Sequence, residues 1–380
     1  MRILLDATAV PADRGGVGRY VDALLPALAA QGVDLVVVCQ PRDAAGTSRL
    51  VPDAEVVAAP DSTARRPARL LWEQTGLPRL AAAVRADLLH SPHYTMPVRA
   101  GLPVVVTLHD ATFFSHPELH SRVKRRFFRT ATRRAVSRAA ALVVPSEATA
   151  REVRRFAGGE PGRFHVAYHG VDTSLFGPAA PADQERVRRS LGLDDRPYVA
   201  FLGTLEPRKN VPALVRGWVA AVADRGDAAP ALVLAGGRGW DDRVDEAVAA
   251  VPPGLTVLRP GYLPLEDLAP YLSGAQVVAY PSLGEGFGLP VLEAMACGAA
   301  VLTTRELSLP EVGGAAVAYC GTDEGEIAVA LRDLLDDDAR RAALAEAARA
   351  RAAGFTWDAA ATAHVQAYDA ALAASTSAGR

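Results

Sequence analysis

Two glutamates eight positions apart, Glu285 and Glu293, stand in PSLGEGFGLPVLEAMACG (residues 281–298), a stretch otherwise made of glycine, proline, serine, cysteine and hydrophobic residues. A carboxylate accepts two hydrogen bonds and so suits a vicinal diol, whether a nucleotide ribose or a sugar ring, and an enclosed site makes that exchange selective. Two of them at this spacing could serve both ends of one nucleotide sugar. Solvated positions on a loop and a helix would be the ordinary reading of two arbitrary glutamates. Here the neighbours of Glu293 are apolar on nearly every side, and a buried carboxylate without a partner is costly, so a partner is expected. Glycines 284, 286 and 288 let backbone approach a ligand, Pro290 suits the first turn of a helix and Gly298 its end.

Further candidates follow other strands. In FLGTLEPRKNVPALVRGW, Arg208 and Lys209 precede a helix whose expected cap is Asn210, with Pro212 close behind. Two cations at a helix amino terminus are unfavourable unless an anion joins them, which points to a diphosphate; a pair of solvated loop cations is the alternative. In DRGGVGRY, Gly15 and Gly16 could offer backbone amides to the same diphosphate. A dinucleotide fingerprint fails there, because counting from Gly16 puts Val21 where the third glycine belongs. His109 ends VVVTLHD, and His90, His93 and Tyr94 of LLHSPHYTMP, with Asp110, could line an acceptor side. SRVKRRFFRTATRRAVSR (121–138) has eight basic residues and no acidic one. On a helix Arg122, Lys124, Arg125, Arg126 and Arg129 would attract anionic headgroups or a phosphorylated lipid, unless the segment is an ordinary amphipathic helix packed on a sheet.

Residues of this kind need a scaffold that brings strand ends together. Apolar runs alternate with helical stretches along the whole chain: RILLDAT, LVVVCQ, DLLHS, VVVTLHD, ALVVPS and FHVAYHG, then YVAFLG, ALVLAGG, LTVLRPG, QVVAYPS and AVLTT. That pattern gives an α/β protein of two doubly wound domains, with ligands beyond the carboxyl ends of the strands. VGRYVDALLPALAAQG reads as a helix closed by Gly32, and the stretches from 324 onward read as helices. The expected division is an amino-terminal domain over 1–176, a Pro/Ala-rich linker over 177–195, a second domain over 196–355, and a terminal helix over 356–380 returning toward the first. With 380 residues, half of them hydrophobic, the chain can bury two cores. Net charge is only −2, yet residues 1–175 carry 23 Lys+Arg against 16 Asp+Glu and the remainder 18 against 27, so the halves meet different partners. Cys39, Cys297 and Cys320 form no close pair and no metal-ligand spacing, and no apolar run is long enough to span a membrane. A reducing cytoplasm is the expected compartment, and nucleic acid is a poor partner for a chain acidic overall.

The residues from Glu285 to Gly298 resemble the signature of family 4 of the retaining glycosyltransferases, glutamate, seven residues, glutamate within E-G-F-G-L-P-x-x-E-A-M-A-C-G. RGGVGRY, TLHD, VPSE, HGVD and GTLEPRKN follow in the expected order, covering most of the chain. The resemblance implies a GT-B fold, two Rossmann-like domains facing across a cleft. It implies that Glu293 binds the donor ribose, that Glu285 lies beside the donor sugar as a catalytic group, and that Gly286, Phe287, Gly288 and Leu289 hold sugar and diphosphate. By the same resemblance His109 contacts the donor sugar, and Gly15, Gly16, Arg208 and Lys209 contact the diphosphate. Where many members have Gly-Arg, this chain has Gly203-Thr204, and Arg208 takes up that duty. The implied activity is metal-independent, cofactor-free transfer of a hexose with retention, with mannose from GDP-mannose the expected donor, to a saccharide or lipid-linked acceptor. Peripheral contact with an anionic membrane at its cytoplasmic face belongs to the same expectation. The competing readings are a GT-B sugar-nucleotide epimerase or sugar phosphorylase, and a catalytically silent glycan- or membrane-binding subunit.

Overall fold

The computed structural model describes residues 1–12 and 14–378. Asp13 of DRGGVGRY and the last two residues of the expected terminal helix, 379–380, lie outside the described residues. The chain divides into two units, one made of Met1–Gly170 with Thr356–Arg380 and the other of Val171–Phe355.

The sheet of unit 1 contains, among the described residues, strands β1 (Arg2–Asp6), β2 (Asp34–Cys39), β3 (Glu55–Ala58), β4 (Leu88–Ser91), β5 (Val104–Thr107), β6 (Ala141–Val144) and β7 (Phe164–Val166). They run parallel in the order β3-β2-β1-β4-β5-β6-β7, so the winding direction reverses between β1 and β4. Helices α1 (Gly15–Ala30), α2 (Ala44–Leu50), α3 (Arg66–Ala83), α4 (Thr112–Ser115), α5 (Arg122–Arg138) and α6 (Glu147–Ala157) connect them. Because side chains alternate along a strand, Ile3 and Leu5 enter one core with Tyr20 and Leu24, while Leu4 enters another with Leu77 and Phe114.

In unit 2, α7 (Pro181–Ser190) precedes β8 (Tyr198–Leu202), α8 (Val211–Val222), β9 (Ala231–Ala235), α9 (Arg243–Ala249), β10 (Val257–Gly261), α10 (Leu265–Ser273) and β11 (Val277–Tyr280). Then come α11 (Leu289–Ala296), β12 (Val301–Thr304), α12 (Leu309–Gly313), β13 (Ala318–Cys320), α13 (Glu324–Asp336) and α14 (Asp338–Ala352). The parallel order is β10-β9-β8-β11-β12-β13, reversing between β8 and β11. The last helix, α15 (Trp357–Ala378), belongs to unit 1: Ala361, Ala367, Tyr368 and Ala371 complete the core beneath α1, and Gln31 donates to Asp358 O at 2.8 Å and Thr362 Oγ1 at 2.9 Å.

Three expectations need correction. Strands β3 and β13 are additional to the apolar runs; each is short and only partly buried, so neither carries a strong periodic signal. Residues 177–195, read as a linker from proline and alanine, contain α7, with Pro181 in its first turn and buried Val187 on unit 2's core. Its Arg186 pairs with Asp267 of α10 at 2.6 Å. Asn210 occupies the capping position of α8 but does not cap it: its backbone is left-handed (φ 58°), and its amide donates to Thr322 O at 2.8 Å.

Candidate functional site

The reversal of strand order in unit 2 opens a crevice beyond β8 and β11, where open α/β sheets bind their ligands. Arg208 and Lys209 lie on the short 3₁₀ turn Pro207–Lys209 after β8, and Glu285 lies on the turn after β11. Lys209 Nζ stands 2.6 Å from Glu285 Oε1, while Arg208 NH1 pairs with the second carboxylate oxygen and donates to Gly284 O at 2.9 Å. Ser282 Oγ and Tyr280 OH donate to Glu285 Oε1 at 2.8 and 3.0 Å, and Arg208 NH2 reaches Glu206 Oε1 at 2.7 Å. Lys209 and Glu285 are both buried, at 7% and 6% exposure, so these are desolvated charges and not surface pairs.

Their electrostatics are asymmetric. Burial alone would raise the Glu285 carboxyl, but Arg208 and then Lys209 overcome it and hold it at about 2. The Lys209 ammonium is lowered, by burial first and Arg208 second, because it shares its carboxylate with a guanidinium. Glu285 is therefore an ionised acceptor at neutral pH and no proton donor. Two cations face two carboxylates, Glu206 and Glu285, so the cluster is close to neutral without a ligand.

The turn then runs into α11. Gly288 has φ 107°, and a Cβ there would stand 2.9 Å from Leu309 Cδ2, so glycine is required on both counts. Ser308 Oγ donates to Glu285 O at 2.8 Å and Phe287 O at 2.9 Å, fixing the turn from outside. Gly286, Phe287 and Gly288 are buried, Leu289 begins α11 and is partly buried, and Glu293 is buried at 2% exposure on α11. The structure thus brings Arg208, Lys209 and Glu285 into direct contact and places Glu293 on the helix that leaves their turn.

In unit 1, Gly15 and Gly16 are exposed and form the first residues of α1, which has no side-chain cap among the described residues; a Cβ on either would meet nothing within 4 Å. His109 lies two residues beyond β5. Its Nε2 stands 2.7 Å from Pro92 O, and a carbonyl only accepts, so Nε2 carries the proton and Nδ1 the lone pair. Burial lowers its affinity for a second proton, against smaller opposing contributions from Pro92 O and Asp110. Asp110 Oδ1 accepts from Thr112 N at 3.1 Å and Thr112 Oγ1 at 2.9 Å, which opens α4.

Residues 14–175 match the family model "Glycosyltransferase Family 4" and residues 183–351 match "Glycosyl transferases group 1". An O-antigen chain mannosyltransferase B of Escherichia coli is 32% identical over 74% of this chain and 74% of its own. The chain belongs to glycosyltransferase family 4. A D-inositol 3-phosphate glycosyltransferase of Xylanimonas cellulosilytica is 31% identical over 94% of this chain and 92% of its own. Among solved structures, a sucrose-phosphate synthase from Thermosynechococcus elongatus superposes with TM-score 0.79 at 23% identity, covering 98% and 100% of the two chains. Anabaena HepE in complex with UDP-glucose gives 0.73 at 20% identity over 97% and 98%. These likenesses place both sheets of this glycosyltransferase in the GT-B fold.

Sequence reasoning missed the partners that set the state of Glu285. Glu206, Tyr280 and Ser282 sit at the same strand ends as the recognised residues, and that position is the signal that could have found them. The basic segment of this family 4 enzyme forms α5. Phe128 stacks on Phe113 with ring centroids 4.4 Å apart, whereas Val123 and Phe127 are exposed. Arg122, Lys124 and Arg126 are exposed and Arg125 is partly so. Arg129 is committed to the fold, its Nε donating to Phe113 O at 2.7 Å with the guanidinium over Phe114. Asp241 is buried and gripped by Arg243 at 2.8 and 2.9 Å. No helix among the described residues is long and apolar enough to cross a membrane.

Proposed function

We propose that this glycosyltransferase moves a hexose, mannose from GDP-mannose, with retention to a saccharide or lipid-linked acceptor. The observation that carries the reading is the buried cluster of Arg208, Lys209, Glu206 and Glu285 beyond β8 and β11. A nucleoside diphosphate entering there offers its oxygens to Arg208 and Lys209, and Glu285, released from them, turns to the hydroxyls of the sugar. As the glycosidic bond to the diphosphate breaks, negative charge grows on the leaving oxygen and positive charge on the sugar ring. The two cations stabilise the first and the ionised Glu285 the second, with no metal required. By the family resemblance the reaction is a front-face attack in which the departing phosphate oxygen takes the acceptor's proton, so Glu285 is not needed as a proton donor. Glu293 is assigned to the ribose and Gly286, Phe287, Gly288 and Leu289 to sugar and diphosphate; by the family resemblance Gly15 and Gly16 are assigned to a diphosphate and His109 to a sugar. The mannosyl choice leans on the motifs and on the O-antigen relative.

A lipid-linked acceptor is favoured by a groove of about 560 Å³ between α3 and α5, whose lining includes the apolar Leu70, Met96, Val123 and Phe127 together with Arg126 and Arg134. That combination suits a hydrocarbon chain beside an anionic headgroup, at the cytoplasmic face of a membrane. Calorimetry of the purified chain against GDP-mannose, UDP-glucose and other nucleotide sugars, with chelator present, tests the donor assignment. Tight binding of GDP-mannose alone is expected; binding of no nucleotide sugar would defeat the reading.

A further inference from the structure

The carboxyl ends of β4 and β5 carry a file of buried polar side chains that the donor cluster of unit 2 does not use. Tyr368 OH lies 2.9 Å from His90 Nδ1, and His90 Nε2 lies 2.9 Å from Thr107 Oγ1. Thr107 Oγ1 is 3.0 Å from Tyr20 OH, Tyr20 OH is 2.7 Å from His364 Nε2, and His364 Nδ1 is 2.7 Å from Ala360 O. Every one of these side chains is at most 1% exposed.

One end of the file is a carbonyl, which only accepts, and the remaining directions follow from it. His364 Nδ1–H donates to Ala360 O, so in the neutral ring Nε2 is an acceptor and Tyr20 donates to it. Tyr20 oxygen then receives the Thr107 hydroxyl, Thr107 oxygen receives His90 Nε2–H, and His90 Nδ1 receives the Tyr368 hydroxyl. Each donor finds one acceptor with both histidines neutral. Burial, followed by the other histidines around it, drives His90 well below its ordinary value, and burial holds His364 at about 4.

Both restraints on His109 begin at members of this file. His109 follows Thr107 by two residues, and Pro92, whose carbonyl fixes its Nε2, follows His90 by two. The Tyr20 ring meets the imidazole edge-on, with centroids 5.1 Å apart at 81°. Tyr20 is itself immobilised on one side by Thr107 and on the other by α15. We propose that Tyr20, Thr107, His90, His364 and Tyr368 are positioning residues for His109, with the terminal helix as the outer clamp. The proposal rests on the reading of His109 as a donor-sugar contact.

The full-length chain and the variants Tyr20→Phe, His364→Leu, His364→Gln and His109→Ala test it, with donor turnover across pH and ¹⁵N-imidazole spectra as readouts. Tyr20→Phe keeps the ring against His109 and removes only the hydroxyl. It should lower kcat about tenfold at unchanged KM, since small misplacements of a reacting group cost that much or more. The acid limb of the pH profile should move, and the His109 nitrogen resonances should shift. The groups facing His109 while this is measured are Tyr20, His93, Tyr94, Asp110 and His169. His364→Leu should behave like Tyr20→Phe, and His364→Gln, whose amide oxygen can accept from Tyr20, should restore kcat. If His364→Leu does not fold, Tyr20→Phe decides. Parental kcat, pH profile and His109 resonances in Tyr20→Phe, alongside a damaged His109→Ala, overturn the proposal. If His109→Ala keeps full turnover, the donor-contact reading falls instead, and unshifted His109 resonances in Tyr20→Phe still overturn the positioning role.

Discussion

Replacing Glu285 by glutamine keeps the shape of the turn and removes the charge that two buried cations share. The carboxyl sits at about 2 in the folded chain against 4.5 when unperturbed, so its contribution to stability is complete above pH 4.5 and disappears as pH falls through 2. A depression of roughly 2.5 units corresponds to about 3 kcal/mol at neutral pH. Glu285 is 6% exposed, so solvent screening takes little from that figure. Arg208 keeps Glu206 in the variant, but Lys209 loses its carboxylate and is left with Tyr280 OH, so the cost falls on a buried ammonium. For a unit of this size the melting transition should drop by roughly 6–12 °C. Urea unfolding followed by circular dichroism at pH 7 and again between about pH 4.5 and 2 measures it. Parent and variant should converge as the pH falls, because the parent alone loses the ion pair. Added nucleoside diphosphate should restore more stability to the variant than to the parent, since it supplies the missing negative charge. A variant within about 0.5 kcal/mol of the parent at pH 7, with a parallel pH profile, would refute the account of the cluster.

Glu293→Gln preserves packing on α11 and should weaken GDP-mannose binding by about 1.5–3 kcal/mol, the worth of a hydrogen bond to a charged group, read by calorimetry; unchanged affinity would remove Glu293 from the ribose. Gly288→Ala should destabilise the chain by about 1–3 kcal/mol in urea unfolding, since φ is 107° and Leu309 Cδ2 must retreat. Replacing Arg122, Arg125 and Arg126 together by serine should weaken sedimentation with phosphatidylserine vesicles by about 3 kcal/mol, more than a hundredfold. Arg129 is left in place because it clamps Phe113 O, and equal sedimentation of parent and variant would rule out α5 as a lipid contact.

The alternation of apolar runs and helical stretches was enough to read both parallel sheets, because strands such as Val104–Thr107 are buried on both faces and need unbroken hydrophobic sequence. Glu55–Ala58 escaped because an edge strand with an exposed glutamate carries no such run. Proline and alanine concealed α7, since the composition of a linker is also that of a helix opening on proline. Glu285 and Glu293 stood out as carboxylates among apolar neighbours, and both are buried. What the sequence could not display was that Lys209 and Glu285, 76 positions apart, meet. Their contact depends on β8 and β11 lying side by side, a matter of strand order that local pattern does not encode.

The helix that closes the core of unit 1 is made only after the whole of unit 2. Strands β1 to β7 and helices α1 to α6 leave the ribosome while Ala361, Ala367, Tyr368 and Ala371, which share a core with Leu28 of α1, Val105 of β5 and Val143 of β6, are still untranslated. At 5–20 residues per second the delay between Gly170 and Ala371 is roughly 10–40 s, long compared with the folding of a domain. The contiguous unit 2 can finish in that interval, so the half synthesised first is the half completed second. A nascent chain stalled before Trp357 would carry an uncovered apolar sheet face, the kind of surface that chaperones hold and proteases find.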